Sequence, residues 1–385
     1  MVGVDSVDWT FPVPIKYGAG RFAELAETCR EAGSERPLIV TDRGTRDLPF
    51  VERALAQLTD AGMAPGLFAE VSPNPTDTEA EHGKAAFEAG QHDLIIGLGG
   101  GSGLDAAKAI SLIAGRETPL WTFDFDHTSP DMAGFVPLVC VPTTAGTGAE
   151  TESSAMITDT RREIKGCVWH PRQKPVAAIL DPELTVGLPR GLTAWTGCDA
   201  LTHAIEAYCV PMFHPMCDGA ALEALRLIGP ALPRAVEQPE ALDARGAMIV
   251  GSCLAGVSFL KGLGLVHAIS HMVGAEYDTH HGLTNAVLLP AVLRFNAPEI
   301  GPHCRPMSQA LGLATTDFDG FYNHVCGVLD ALDIPAGLSD LGVTPADPAG
   351  LAQKASRDPA ALTNPRQASV EQIAAIIREA QDNGR

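Results

Sequence analysis

Residues 93–104 read Asp-Leu-Ile-Ile-Gly-Leu-Gly-Gly-Gly-Ser-Gly-Leu. A short apolar run, typical of a buried strand, leads into a cluster of glycines, and a helical pattern follows the cluster. Glycines in such a turn let the backbone approach a phosphate, and the N-terminus of the next helix offers amide donors. Gly99, Gly100, Gly101 and Ser102 are therefore predicted to bind a phosphate, with a tight strand–helix turn as the alternative.

The same alternation continues on both sides of this turn. Strand patterns at 37–42, 67–71 and 137–141 alternate with helical patterns at 50–61 and 76–89. This alternation predicts a mostly parallel sheet covered by helices, in which ligands bind at the carboxyl ends of the strands.

The second half of the chain has a different character. From about Thr193 onward helical patterns replace strand patterns, and they cover the segments 194–210, 218–236, 241–259 and 265–276. We therefore predict two domains. The first is an α/β dinucleotide-binding domain with a mostly parallel sheet at residues 1–185, and the second is an all-α metal-binding domain at residues 186–385.

A second polar turn, Pro-Thr-Thr-Ala-Gly-Thr-Gly at 142–148, follows a strand pattern. Its hydroxyls can hydrogen-bond a ribose, a diphosphate or a nicotinamide amide, although an ordinary loop has the same composition. Asp42 ends the first strong strand pattern, where a carboxylate accepts hydrogen bonds from the adenosine ribose and repels a 2′-phosphate. Asp42 therefore favours NAD over NADP, and a helix cap or turn is the alternative.

Composition excludes several classes of partner. The 385 residues include 47 acidic and 27 basic side chains, which gives a net charge of −20. A surface this acidic repels phosphate backbones and anionic lipids, so we expect no nucleic-acid or membrane partner. The first 14 residues lack the pattern of a signal peptide, and the nine cysteines show no Cys-x-x-Cys spacing. We expect free thiols and a cytoplasmic protein.

Acidic and imidazole side chains recur at short spacings in the second half. Asp199 and His203 lie four residues apart, His267 and His271 repeat that spacing, and a His-His-Gly sequence follows at 280–282. Residues four apart share one face of a helix. A mixed set of one carboxylate and several imidazoles suits Fe²⁺ or Zn²⁺. The spacing predicts a metal site and leaves open which of these histidines bind the ion.

The two predicted sites fit one reaction. A bound dication lowers the pKa of a coordinated alcohol and polarises a coordinated carbonyl. Hydride can then pass between the carbinol carbon and a nicotinamide held by the glycine turns. Because each half supplies one component, we expect the chemistry in a cleft between the two domains.

Motifs along nearly the whole chain resemble those of one family. They are Gly-Gly-Gly-Ser-x-x-Asp at 99–105, Pro-Thr-Thr-Ala-Gly-Thr-Gly at 142–148, Thr-Gly-Cys-Asp-Ala-Leu-Thr-His-Ala-Ile-Glu-Ala-Tyr at 196–208, Gly-Leu-Val-His-Ala-Ile-Ser-His at 264–271, His-Gly-Leu-Thr-Asn-Ala at 281–286 and Asn-Pro-Arg at 364–366. With these motifs the chain resembles the iron-containing (group III) alcohol dehydrogenases, which have a dehydroquinate-synthase-like fold.

The resemblance implies specific roles. It implies metal ligands at Asp199, His203, His267 and His281, and it places His271 beside the nicotinamide as a catalytic proton relay. It also implies a set of cofactor-binding residues, namely Asp42, Gly99, Gly100, Gly101, Ser102, Asp105, Thr143, Thr144, Thr147 and Lys165. The family implies NAD(P), and Asp42 favours NAD. The resemblance also favours iron over zinc, a small alcohol or aldehyde substrate, and a homodimer or larger homo-oligomer.

Several alternatives stay open at this point. A zinc-dependent relative of the same fold, of the glycerol dehydrogenase or dehydroquinate synthase type, would share the cofactor and a metal. Maleylacetate reductases share the fold but lack this complete ligand set. A metallohydrolase using His267 and His271 would leave both glycine turns unexplained, and a non-catalytic binding protein would leave the ligand set unexplained. Lys261 is a candidate partner for an acidic group on the substrate, with a surface or helix-capping lysine as the alternative.

Overall fold

The computed structural model describes residues 7–9, 12–162, 164–344, 348–382 and 385. The described chain forms two compact units. The α/β unit contains residues up to 144 together with 149–187, and the helical unit contains 145–148 together with 188–385. The predicted fold class is confirmed, whereas the predicted domain boundary at 185/186 stays a prediction.

The α/β unit is built on a sheet of seven strands and a separate hairpin. The strands are β1 (Val7–Trp9), β2 (Ile15–Tyr17), β3 (Pro37–Asp42), β4 (Gly66–Val71), β5 (Leu94–Gly99), β6 (Leu138–Pro142), β7 (Ser154–Asp159), β8 (Ile164–Trp169) and β9 (Ala177–Leu180). The order in the sheet is β1-β2-β9-β6-β5-β3-β4; the described pairs within this sheet are parallel except for β1 with β2. β7 and β8 form the antiparallel hairpin.

Both faces of this sheet are covered, as the continuous apolar runs predict. The helices of the unit are α1 (Leu25–Glu31), α2 (Pro49–Asp60), α3 (Asp77–Ala89) and α4 (Gly101–Ile113). On β5, Ile96 packs in a buried cluster with Leu58 of α2, and its neighbour Ile95 packs on the other face with Ile110 of α4. The sheet therefore holds the carboxyl ends of β3, β5 and β6 side by side.

The helical unit contains the second set of helices. They are α5 (Arg190–Cys209), α6 (Pro215–Glu237), α7 (Leu242–Ser258), α8 (Leu265–Tyr277), α9 (His281–Ala310), α10 (Phe318–Ala331), α11 (Ala349–Ala355), α12 (Pro359–Thr363) and α13 (Val370–Asp382). The four helical patterns beyond residue 193 correspond to α5–α8. Among the described residues, one stretch, Leu242–Lys261, is long and apolar enough to cross a membrane, but 72% of its most apolar window is buried inside the fold, as in the core helix of a globular unit.

All nine cysteines are free thiols, as predicted, and seven of them are buried. Burial raises the pKa of the Cys198 thiol to about 12, with the neighbouring Asp199 carboxylate adding to the shift. The cysteines therefore pack as small apolar side chains.

Candidate metal and cofactor sites

Four side chains from three helices converge in the helical unit. Asp199 and His203 lie on successive turns of α5, His267 lies on α8, and His281 begins α9. One ligand atom from each lies within 4.8 Å of the others. Asp199 Oδ1 is 3.9 Å from Nδ1 of His203, 3.6 Å from Nε2 of His267 and 3.7 Å from Nε2 of His281. The structure therefore brings together the set that the resemblance implies.

The electrostatics of this cluster favour a cation. Burial would raise the pKa of Asp199, but the three surrounding imidazoles outweigh burial and hold it well below its usual range. Burial lowers the pKa of His203 to about 4, against the attraction of Asp199. The cluster thus contains a buried carboxylate and one neutral imidazole. Against burial, Asp199 and Glu206 raise the pKa of His267 to about 9, so binding of a metal ion by this imidazole would release a proton.

Two further observations concern the polar atoms at the centre of the cluster. His203 Nδ1 is buried and has no hydrogen-bond partner among the described residues, which is uncommon for a buried polar atom. Asn285 Nδ2 lies 2.7 Å from Asp199 Oδ1 and 3.1 Å from Nε2 of both His267 and His281. The Asp199 carboxylate oxygen and the two imidazole nitrogens therefore all lie around the amide nitrogen of Asn285. One carboxylate and three imidazoles form a ligand set that fits a divalent ion.

A buried carboxylate orients one of the imidazoles. Glu206, on the same helix as Asp199, accepts a 2.5 Å hydrogen bond from His267 Nδ1 and a 2.8 Å bond from the Val266 amide. The bond at Nδ1 leaves Nε2 of His267 to act as an acceptor toward the cluster. Sequence reasoning assigned Glu206 no role, although it lies within the motif at 196–208 that also contains Asp199 and His203.

Glycines permit the close approach of the three helices. A Cβ on Gly264, just before α8, would lie 2.6 Å from Glu206 Oε1 and 2.8 Å from Asn364 Oδ1. A Cβ on Gly282, in the first turn of α9, would clash with the carbonyl oxygen of Trp195. Asn364 also accepts a 3.0 Å bond from the Leu265 amide, so it fixes the start of α8.

The other two histidines that the spacing singled out, His271 and His280, lie beside the cluster rather than in it. The His271 ring stacks on the His281 ring, with centroids 5.4 Å apart and an interplanar angle of 9°. His280 caps α9, because its Nδ1 accepts a 3.4 Å bond from the Leu283 amide. Spacing could not separate these two residues from the four that converge.

In the α/β unit, the ends of β3, β5 and β6 bring several predicted cofactor residues together. Asp42 Oδ1 accepts bonds from the amides of Gly44 (2.9 Å) and Thr45 (3.0 Å). A Cβ on Gly99 would lie 3.2 Å from Asp42 Oδ2, and a Cβ on Gly100 would lie 3.3 Å from Thr144 Cγ2. The Thr143 amide donates to the Gly99 carbonyl (2.9 Å).

The glycine cluster forms the first turn of a helix. Gly100 is the N-cap of α4, and Gly101 and Ser102 follow it. The first amides of a helix have no partner within that helix. They are available to an anion, which fits the predicted phosphate site.

The other predicted cofactor residues are distributed more widely. Asp105 Oδ2 accepts a 3.3 Å bond from the Met156 amide, and burial raises its pKa while Lys108 and Lys165 oppose the shift. Lys165 donates to Asn74 Oδ1 (3.2 Å). Thr147 belongs to the short segment 145–148 in the helical unit.

Lys261 is a buried lysine that caps the end of α5. It is only 3% exposed, so it is not a surface lysine. Its ammonium group forms an ion pair with Asp218 and donates to the Tyr208 carbonyl (3.3 Å). Because Asp218 already balances its charge, the structure gives no support to a role in binding an acidic substrate.

Two family profiles together match most of the chain. The profile described as "Iron-containing alcohol dehydrogenase" matches residues 12–182. The profile described as "Fe-containing alcohol dehydrogenase family, C-terminal" matches residues 193–381.

Characterised relatives match over nearly their full length. The NAD-dependent methanol dehydrogenase of Bacillus methanolicus is 37% identical over 94% of this chain and 97% of its own. The 1,3-propanediol dehydrogenase of Klebsiella pneumoniae is 37% identical over 97% of this chain and 98% of its own. A crystal structure of 1,3-propanediol oxidoreductase covers 98% of this chain and 100% of its own, with 36% identity and a TM-score of 0.91. This chain belongs to the iron-containing alcohol dehydrogenase family.

Proposed function

We propose that the protein is a metal-dependent, NAD-linked alcohol dehydrogenase or aldehyde reductase. The observation that carries this proposal is the convergence of Asp199, His203, His267 and His281, of which the first three are buried. The related methanol and propanediol dehydrogenases support a small primary alcohol or its aldehyde as the substrate.

The four converging side chains are the proposed metal ligands. When bound, the ion supplies a Lewis acid for the alcohol or carbonyl oxygen. One carboxylate and three imidazoles suit Fe²⁺ and Zn²⁺ alike, and membership of the family favours Fe²⁺. Glu206 and Asn285 hold the ligands in position through the hydrogen bonds described above.

The carboxyl ends of β3, β5 and β6 are the proposed dinucleotide site. The first-turn amides at Gly101 and Ser102 suit the diphosphate, and Thr143 and Thr144 line the neighbouring strand end. The bonds from Gly44 and Thr45 hold the Asp42 carboxylate in place. In this position it can accept hydrogen bonds from the ribose hydroxyls, and its charge repels a 2′-phosphate. We therefore propose NAD rather than NADP.

Further side chains of this protein are proposed to transfer the proton and to contact the cofactor. His271, beside the ligand cluster, exchanges the hydroxyl proton of the alcohol. Asp105, Thr147 and Lys165 are proposed to contact the cofactor. We also propose that the enzyme is cytoplasmic and acts as a homodimer or larger homo-oligomer, without nucleic-acid or membrane partners. The proposed boundary between the two domains lies at residues 185/186.

The test is a panel of small alcohols and aldehydes, followed by NADH absorbance, on protein reconstituted separately with Fe²⁺ and Zn²⁺. The expected result is turnover of at least one small primary alcohol or aldehyde that disappears on chelation. NADH binding is measured on the same samples. Protein that binds neither NADH nor NADPH and hydrolyses an ester would instead support the metallohydrolase alternative.

A further inference from the structure

A buried carboxylate lies against the ring of His271. Asp358 Oδ2 is 2.9 Å from His271 Nδ1, and the two side chains come from positions 87 residues apart. Asp358 is 7% exposed and His271 is 8% exposed. Since a carboxylate only accepts, Nδ1 carries the proton of this hydrogen bond.

Asp358 itself is held in place. Its other oxygen, Oδ1, accepts a 2.9 Å bond from the Ala360 amide as the N-cap of α12. Its backbone amide donates to the Ala355 carbonyl (3.1 Å), and its carbonyl accepts from Ala361 (3.0 Å). The carboxylate therefore has little freedom to turn away from His271.

The geometry points to Asp358 as the positioning residue for His271: it fixes the imidazole in the tautomer that carries a proton on Nδ1 and presents Nε2 for proton exchange. This inference rests on the proposed function. In alcohol oxidation the carbinol C–H bond breaks and its hydride reduces NAD⁺, while the hydroxyl proton passes to Nε2 and then to solvent. The products are the carbonyl compound, NADH and one proton. Asp358 balances the positive charge on the ring while it holds that proton.

The competing explanation is that Asp358 only caps α12. Asp358→Asn separates the two roles. An asparagine can still cap α12 through Oδ1, but its amide nitrogen can donate to His271 Nδ1 and so favour the tautomer that carries the proton on Nε2. We expect Asp358→Asn to lower kcat by about 10²-fold or more, within the range of general acid–base catalysis. KM and metal content should stay near wild type.

A matched capping residue provides the control. Asp317 is the N-cap of α10 and accepts a 2.9 Å bond from the Gly320 amide. Asp317→Asn should leave kcat unchanged. Asp358→Ser, which can also cap a helix, provides a second variant and should lose kcat as Asp358→Asn does.

A double-mutant cycle gives the decisive measurement. If Asp358 acts through His271, Asp358→Asn has no further effect on kcat in a His271→Ala background. Wild-type kcat in Asp358→Asn and Asp358→Ser, a multiplicative loss in the double variant, or loss of metal in Asp358→Asn would each overturn the inference. An inactive wild-type protein would contradict the proposed function instead, so the two failures are distinguishable.

Discussion

At the scale of single residues, Glu206 shows how much of the site lies outside the predicted ligands. Its hydrogen bond to His267 Nδ1 determines which nitrogen of that ring faces the cluster. Glu206→Gln removes the negative charge while it keeps the size of the side chain. We expect metal affinity to fall by about 10–100-fold, measured by titration against a competing chelator. Glu223→Gln, on the exposed Arg226 pair of α6, is the control; equal losses in both variants would contradict the role of Glu206.

Asp42 should determine the choice between the two dinucleotides. Asp42→Gly removes an acceptor for the ribose hydroxyls and a negative charge that repels a 2′-phosphate. The next residue, Arg43, is exposed and would then be the nearest charged side chain in the sequence. We expect kcat/KM for NADP to rise relative to NAD by roughly 10–100-fold, since hydrogen bonds to charged groups contribute about 1.5–3 kcal/mol. Asp47→Gly, at a highly exposed neighbouring position, should leave the ratio as in the wild type.

Sequence reasoning found some of these residues and missed others for a physical reason. Asp199 and His203 are visible because both lie on one helix face. Asp358 is not, because it meets His271 only after the chain has folded across 87 residues. An aspartate on its own has many ordinary structural roles, so position 358 carries no local signal, whereas Asn285 lies four residues after His281 on the same helix and could have been found by that spacing.

At the scale of secondary-structure elements, the predicted strands and helices from 37 to 141 agree with β3–β6 and α2–α4. The short strand β2 was missed because three residues are too few to show a period. The long helix α9 was missed because four prolines lie inside it, and proline ordinarily indicates the end of a helix. Packing within the helical unit outweighs that local preference.

The approach of α8 to α5 depends on the absence of a side chain at Gly264. Gly264→Ala would place a methyl group 2.6 Å from Glu206 Oε1. We expect a loss of about 1–3 kcal/mol in the free energy of unfolding together with weaker metal binding. Gly219→Ala on α6 is the control, because a Cβ there meets nothing within 4 Å. It should be neutral or stabilising, and denaturant unfolding of both variants checks the difference.

The β7–β8 hairpin is closed by a buried carboxylate. Asp159 accepts bonds from the amides of Arg161 (2.8 Å) and Arg162 (2.9 Å) and from the Arg162 guanidinium. Burial would raise the pKa of Asp159, but these bonds outweigh burial and lower it. A lowered pKa in the folded state stabilises the fold above the unfolded value of about 4, and that contribution disappears as the pH falls further.

Asp159→Asn should therefore cost stability at neutral pH and less in acid. We expect a loss of about 1 kcal/mol at pH 7, since solvent screens the half-exposed Arg162. The difference from the wild type should shrink toward pH 3.5. Denaturant unfolding at several pH values measures it, with Asp60→Asn on the exposed end of α2 as the control. If the difference in unfolding free energy between wild type and Asp159→Asn grew in acid, the pKa of Asp159 would not be lowered by folding.

At the scale of the whole molecule, metal and dinucleotide are expected to stabilise different units. A cation bound by Asp199, His203, His267 and His281 would join α5, α8 and α9, whereas the predicted dinucleotide residues on β3, α4 and β6 belong to the α/β unit. A ligand that binds only the folded state adds RT ln(1 + [L]/Kd), about 4 kcal/mol at a thousandfold excess over Kd. For a unit of this size, that corresponds to roughly 10 °C in melting temperature.

Asp199→Ala should separate these two effects. In the wild type, Fe²⁺ under anaerobic conditions, or Zn²⁺, should raise the melting temperature, and NADH should raise it independently. In Asp199→Ala the shift with metal should vanish because the one anionic ligand is gone, while the shift with NADH should persist because the dinucleotide residues are intact. Thermal scans with metal, chelator and NADH test this. An undiminished metal shift in the variant would mean that the stabilising ion binds elsewhere, and a lost NADH shift would mean that the two sites are not independent.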